Sequence, residues 1–211
     1  MRLRQSKMTS KLEDLYAINT NTLTNPHCIK LHAAKGSRHI CPKCYSFFML
    51  EGFRKNCAEG WEENSQLLST TTIPLADLLE FKPKGKLGIY RFHGHGELIN
   101  PLHLKNLVGI AVYSPETTFA LWTKNPKGIV TEYFKHHPIP DNLVLIYSNP
   151  VVDDVMREPR WPFHRVFNVV SESHPDENCT GQKCKDCQLC YTSDETVIIE
   201  KEKIYVKQRA N

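Results

Sequence analysis

Apolar residues in the second half of the chain form short blocks that alternate between strand-like and helix-like spacing. The strand-like blocks are KLGIYRFHG, TFALWTKN, NLVLIYSNP and RVFNVVSES, and NPLHLKNLVGIAVYSP and KGIVTEYFKHH are helix-like. Nearly continuous apolar strands separated by helices are typical of a parallel sheet covered on both faces. With room for about five or six strand-helix units, the pattern predicts an α/β fold with a partial parallel (β/α)6-type barrel.

The first half of the chain has a less regular pattern. We expect a polar lead-in over residues 1–20, helical around Lys11 to Ile18, and a loop over residues 21–46. The run FFMLEGFRKNCAEGWEENSQLL predicts one helix over 46–68, and LADLLEF predicts a second, short helix. The predicted units are a lead-in (1–20), a partial barrel with an N-terminal cluster loop (21–175), and a cysteine-rich segment with a final strand (176–211).

Polar residues follow each predicted strand of the barrel. Because the carboxyl ends of parallel strands meet at one edge, this pattern predicts a functional site at that edge. The polar stretches are His93 to Glu97, Thr123 to Asn125, Ser148 to Asn149, and Ser171 to His174. His93 and His95 alternate along one strand end, so they are candidates for a metal-binding pair, a polar pocket or structural histidines.

The composition is that of a soluble globular protein, with 211 residues, 40% hydrophobic and 24% charged. No apolar run approaches the roughly 20 residues that span a bilayer, and no apolar stretch follows the basic N-terminus. We therefore expect a cytoplasmic protein without a membrane partner. The net charge of +4 gives no support for a nucleic-acid partner. Phosphate-loop, dinucleotide-binding and nucleophile-elbow motifs are absent from the sequence, which argues against nucleotide hydrolysis and serine chemistry.

Eight cysteines in such a chain favour metal ligation over disulfides. Four of them lie in a C-x4-C-x2-C-x2-C pattern, which we name the C-terminal cysteine group: Cys179, Cys184, Cys187 and Cys190. Close C-x2-C steps favour an iron-sulfur cluster. Zinc is the alternative, although structural zinc sites more often use two pairs separated by a longer stretch.

A second set of three cysteines, which we name the N-terminal cysteine group, consists of Cys28, Cys41 and Cys44. Cys57 lies far along the predicted helix and is expected to be a core residue. Three thiolates on a four-iron cluster leave one iron open to a small molecule such as S-adenosylmethionine, which favours chemistry. The alternative is a closed zinc site whose fourth ligand comes from His27, His32 or His39.

The order of several short motifs resembles a known family. These motifs are NPHC, CPKCYS, YRFHGHGEL, FALWTKNP and FNVVSES, followed by the C-terminal cysteine group. Between residues 18 and 205 the chain resembles the gene product 88 family of phage-encoded proteins and, more distantly, radical S-adenosylmethionine enzymes.

The second resemblance implies a partial (β/α)6 barrel with a catalytic 4Fe-4S cluster on the N-terminal cysteine group, although the usual C-x3-C-x2-C motif is stretched here. Gly96 and Glu97 resemble the end of the Gly-Gly-Glu motif that binds the cofactor's amino group, with His95 replacing a glycine. Candidates for the cofactor's carboxylate or ribose are Arg91, Lys124 and Ser148. The C-terminal cysteine group would hold an auxiliary 4Fe-4S cluster.

The implied activity is reductive cleavage of S-adenosylmethionine, which starts radical chemistry on an unidentified substrate. Such an enzyme takes electrons from a reductant such as a flavodoxin or a ferredoxin. The alternative is a non-catalytic iron-sulfur or zinc-binding phage-encoded protein that acts in regulation, electron transfer or nucleic-acid binding and uses its metal sites to stabilise the fold.

Overall fold

The structure is a computed structural model that describes residues 3–34, 38–192 and 194–202. Its centre is a seven-stranded sheet in which the strands follow one another in chain order. The strands are β1 (Gln5–Lys7), β2 (Tyr16–Ile18), β3 (Ile89–Phe92), β4 (Thr118–Thr123), β5 (Leu143–Ser148), β6 (Arg165–Val170) and β7 (Val197–Lys201). Only β1 runs antiparallel to its neighbour, and the pairs from β2 to β7 are parallel.

The α-helices of the described chain are mostly short. They are α1 (Pro26–His32), α2 (Tyr45–Glu51), α3 (Ala58–Thr70), α4 (Leu75–Glu80), α5 (Pro101–Val112), α6 (Ile129–Phe134) and α7 (Cys184–Cys187). Helices α3 to α6 cover one face of the sheet, where residues such as Leu68, Leu107 and Val130 pack against Tyr90 and Phe119 of the strands. This face contains the larger core.

The cysteine-rich C-terminal segment packs on the opposite face of the sheet. Because side chains alternate along a strand, Ile89 and Ala120 point away from the helices. They form a second core with Phe167, Ile198 and Tyr191. Three C-terminal cysteines pack against this core: Cys179, Cys184 and Cys190.

The prediction of an α/β fold with a mostly parallel sheet is confirmed. The strands predicted in the second half match β3 to β6, the final strand is β7, and the predicted helices match α4, α5 and α6. In the described part of the chain the sheet is open, with β1 and β7 at its edges. Closure into a partial (β/α)6 barrel, like the division into three segments, stays a prediction.

The helix expected around Lys11 to Ile18 is wrong. The structure has a 3-10 turn at Ser10–Leu12, followed by β2. Ala17 and Ile18 are fully buried there and pair with β3. A strand of three residues has too few positions to show its alternation in the sequence.

The single helix predicted over 46–68 is also wrong. Helix α2 ends at Glu51, because the φ of −115° and ψ of −122° of Gly52 are not helical, and a 3-10 turn at Lys55–Cys57 precedes α3. Phe53, which fitted the apolar pattern, is 77% exposed. Cys57 is half-buried, with its Sγ 3.7 Å from Asn56 Oδ1, so its expected place in the core is wrong as well.

None of the helices in the described ranges has the length and apolar character that crossing a membrane requires.

Candidate functional site

The N-terminal cysteine group lies near the carboxyl ends of the parallel strands. The segment before Cys41 is held to the chain after β5, since Ile40 N donates to Pro150 O over 2.8 Å and Val152 N donates to Arg38 O over 2.9 Å. Beyond Cys44, the Tyr45 hydroxyl donates to Gly94 O at 2.5 Å, after β3. Strand ends therefore hold the CPKC turn on both sides.

Asn25 positions Cys28. Its Oδ1 caps α1 by accepting from His27 N at 3.0 Å and Cys28 N at 3.3 Å. Its Nδ2 donates to Glu97 O at 2.9 Å, so the helix that contains Cys28 is tied to the loop after β3. Sequence reasoning missed this residue, although Asn before Pro26 is a recognised helix-start signal.

The three N-terminal thiols are close enough to interact electrostatically. Burial, followed by the charge of Glu97, raises the pKa of Cys28, and Cys44 and Cys41 contribute to the shift. Burial also raises the pKa of Cys41. Lys124 is their shared cation: burial opposes its charge, but Cys41 and Glu97 outweigh that effect and raise its pKa. The structure thus brings Lys124 to the N-terminal cysteine group.

Glu97 is buried and its carboxylate is hydrogen-bonded on both oxygens. Oε1 accepts from Leu98 N at 2.8 Å and from Thr123 Oγ1 at 2.5 Å, and Oε2 accepts from Lys124 N at 2.7 Å. The carboxylate therefore joins the end of β3 to the end of β4. Its predicted contact with a cofactor amino group stays a prediction.

The two residues before Glu97 are tightly enclosed. His95 Nδ1 lies 2.9 Å from Ser46 Oγ, and its ring stacks on Trp61 with centroids 4.4 Å apart. Burial, followed by the charges of Arg54 and Arg91, lowers the pKa of His95 to about 3. Gly96 has a φ of +94°, and a Cβ there would collide with Thr20 Oγ1. Both positions hold the strand-end loop against neighbouring segments.

His93 and His95 do not converge as a pair. His93 lies beyond β3 with a φ of +63°, so strand alternation does not apply to it. Its Nε2 is 3.3 Å from His103 Nε2, and its Nδ1 is 3.3 Å from Trp122 O. Since Ile99 N donates to His103 Nδ1, His103 Nε2–H donates to His93 Nε2 and His93 Nδ1–H to Trp122 O. This is the environment of structural histidines.

Ser148 ends β5 at the same edge of the sheet. It is half-buried and paired in register with Phe167 of β6. Its predicted cofactor contact stays a prediction.

The C-terminal cysteine group surrounds a single helical turn. Helix α7 places Cys184 and Cys187 three residues apart, on one side of the turn. Gln182 Nε2 donates to Cys187 Sγ at 3.5 Å, and Lys11 Nζ donates to Cys179 Sγ at 3.7 Å. Burial raises the pKa of Cys190 to about 12. Cationic and amide donors thus already face these sulfurs.

All eight cysteines are free thiols. Over residues 3–34, 38–192 and 194–202, no three His, Cys, Asp or Glu side chains share a metal-ligating arrangement. The structure therefore brings the members of each cysteine group into one neighbourhood but does not show a ligand sphere. The donor chemistry fits a soft metal, since thiolates suit iron-sulfur clusters and zinc.

The comparisons with known proteins give one finding. A family model described as gene product 88 matches residues 2–203. No curated protein and no solved structure matches the chain. Because the family model spans nearly the whole sequence, the chain belongs to the gene product 88 family.

Proposed function

We propose that this chain is an iron-sulfur protein with two 4Fe-4S clusters, one on each cysteine group, and that the N-terminal one binds and reductively cleaves S-adenosylmethionine. The observation that carries the proposal is that each group of desolvated thiols has a cation beside it. Lys124 serves the N-terminal group and Lys11 the C-terminal one.

Metal binding explains why desolvated thiols and cations are placed together. Burial raises the pKa of Cys28 and Cys190, so as free groups they stay protonated near neutral pH. Binding to a metal requires the thiolates, and these leave a net negative charge that a neighbouring cation stabilises. Lys124 and Lys11 are in place to do this.

Three cysteines in the N-terminal group, rather than four, favour a site with an open iron. A bound cluster supplies the electron for cleavage of the cofactor. The chain contributes the position of the cluster at the sheet edge and the residues around it. The predicted cofactor contacts are Gly96, Glu97, His95, Lys124 and Ser148.

Glu97 has capacity left for an ammonium group. A carboxylate offers about four lone-pair positions, and hydrogen bonds already use three of those on Glu97. The remaining position is on Oε2, which accepts from Lys124 N. A cofactor amino group at that position would add a contact without breaking the link between β3 and β4.

The activity is tested by incubating anaerobically purified protein with dithionite and S-adenosylmethionine and measuring 5'-deoxyadenosine. We expect release from the wild type and from Cys57→Ala, because Cys57 lies outside both groups. Cys41→Ala should abolish it. An iron-loaded wild type that never releases 5'-deoxyadenosine would contradict the catalytic part of the proposal and favour electron transfer.

A zinc protein is a second candidate, supported by two histidines. The Nε2 of His27 and the Nδ1 of His39 are buried, and neither has a hydrogen-bond partner in the described part of the chain. His32 is engaged, with its Nδ1 3.1 Å from Cys41 O. On this candidate, one of these two nitrogens supplies the fourth zinc ligand beside the three thiolates. Colourless protein with stoichiometric zinc and no labile sulfide is the result expected of this candidate.

A further inference from the structure

Arg91 is a buried cation inside the sheet, on the face that carries the C-terminal cysteine group. It is only 9% exposed and belongs to β3. Ile89, two residues earlier, packs on the C-terminal face, so strand alternation directs Arg91 there as well. Its guanidinium carbon lies 4.1 Å from the centroid of the Trp122 ring, and its Nε donates to His93 O at 3.4 Å.

The strongest electrostatic neighbours of Arg91 come from both cysteine regions. Trp122, which the guanidinium covers, packs against the same core as Cys184 and Cys190. Tyr191, Tyr45 and these two cysteines also interact electrostatically with Arg91. Tyr45 directly follows Cys44, so Arg91 lies between the two groups. Phenols and thiols are neutral near pH 7 as free groups. A buried cation among neutral partners is costly unless something nearby becomes negative.

The other cations near the C-terminal cysteine group have carboxylate neighbours. Lys11 Nζ lies 2.5 Å from Glu200 Oε1 as well as near Cys179. Arg165 interacts with Asp194 as well as with Cys190. Arg91 differs from these two cations, because its partners named above are phenols and thiols, and of these the thiols of Cys184 and Cys190 become negative when they bind a metal.

We propose that Arg91 compensates the thiolate charge of the metal-bound C-terminal cysteine group and thereby raises the reduction potential of its cluster. The inference rests on the proposed function. A nearby cation stabilises the state that has gained an electron. The stacking on Trp122 and the hydrogen bond to His93 O fix the guanidinium in place on a rigid strand.

The test is anaerobic redox titration of the full chain in a Cys41→Ala/Cys44→Ala background, which leaves the C-terminal group as the remaining site. Arg91→Met should lower the equilibrium constant for one-electron reduction at least tenfold, a shift of about 59 mV. Arg91→Lys should stay within threefold of the parent. The control is Lys7→Met, which removes a cation whose side chain is 63% exposed and should leave the potential unchanged. A parental potential in Arg91→Met, or equal shifts in Arg91→Met and Arg91→Lys, would overturn the inference.

Two further outcomes are also decisive. If Arg91→Met loses its iron while Arg91→Lys keeps it, the charge is required and the inference holds, whereas iron loss in both variants overturns it. If the parent binds zinc instead of iron, the proposed iron-sulfur function fails, and the inference about Arg91 is tested on the zinc-bound protein. Charge compensation is then measured by competition with a chelator: zinc binding at least tenfold weaker in Arg91→Met than in Arg91→Lys supports it, and equal affinities contradict it.

Discussion

Glu97 links the two central strand ends through one buried carboxylate. Its three donors come from Leu98, Thr123 and Lys124, and two of them are backbone groups. A hydrogen bond to a charged group contributes about 1.5 to 3 kcal/mol, and a buried donor left without an acceptor is destabilising. The same side chain therefore stabilises the fold and shapes the candidate cofactor site.

Replacing Glu97 by Gln should destabilise the protein by about 2 kcal/mol, because an amide nitrogen cannot accept the donors that one carboxylate oxygen accepts. The measurement is urea unfolding of the wild type and the variant. Glu51→Gln is the matched control, since Glu51 is exposed. Equal stabilities of Glu97→Gln and the wild type would show that the hydrogen bonds of Glu97 are not important for the fold.

The His93–His103 pair predicts a dependence of stability on pH. Burial, followed by the charge of His93, lowers the pKa of His103 well below its usual range, and burial lowers that of His93. Both side chains are thus neutral in the folded protein, whereas the unfolded chain binds protons below about pH 6.5. Stability should fall as the pH falls from 6.5, by up to about 1.4 kcal/mol per unit for each histidine.

This effect is measured by urea unfolding between about pH 5 and pH 6.5, where the two imidazoles titrate in the unfolded chain. In His103→Gln the slope of stability against pH should decrease by about one proton, because the glutamine amide does not titrate. A variant with the full wild-type slope would disprove the neutral state assigned to His103.

At the scale of elements, helix α1 connects Cys28 to the rest of the site. Asn25→Ala removes its cap and the contact with Glu97 O, so we expect a loss of about 1 to 2 kcal/mol in stability. We also expect weaker metal binding by the N-terminal cysteine group. The measurements are urea unfolding and iron content after gel filtration.

Asn100→Ala is the matched control, because Asn100 caps α5 by accepting from His103 N and also donates to Ser69 O. It should cost similar stability without reducing the metal content. Equal iron loss in the two variants would mean that metal binding follows overall stability rather than the position of α1.

The sequence pattern predicts long, repeated elements better than short ones. The apolar blocks of β3 to β6 and the periodicity of α5 and α6 were sufficient to locate them. The break at Gly52 was missed because the apolar spacing continued across it by coincidence. Strand β2 was missed because its three residues are too few to show alternation. The role of Cys57 was misjudged for the same reason as the break at Gly52.

At the scale of the whole molecule, the turn between β1 and β2 meets the cysteine-rich C-terminal segment on one face of the sheet. Lys183 pairs with Glu13 at 2.7 Å, and Lys185 pairs with Asp14 at 2.6 Å, so the turn before β2 contacts the cysteine-rich segment. Spacing in the sequence separated the cysteines into two groups but contained no information on which face each would occupy. Sheet closure depends on pairing between distant strands, which local patterns do not specify.

The central claim is that the two cysteine groups bind two iron-sulfur clusters. Its most direct test is iron, labile-sulfide and zinc analysis of anaerobically purified protein. We predict about eight irons and eight sulfides per chain, and about four of each in Cys41→Ala/Cys44→Ala and in Cys184→Ala/Cys187→Ala. Cys57→Ala should match the wild type. Stoichiometric zinc without labile sulfide, or no bound metal, would contradict the account.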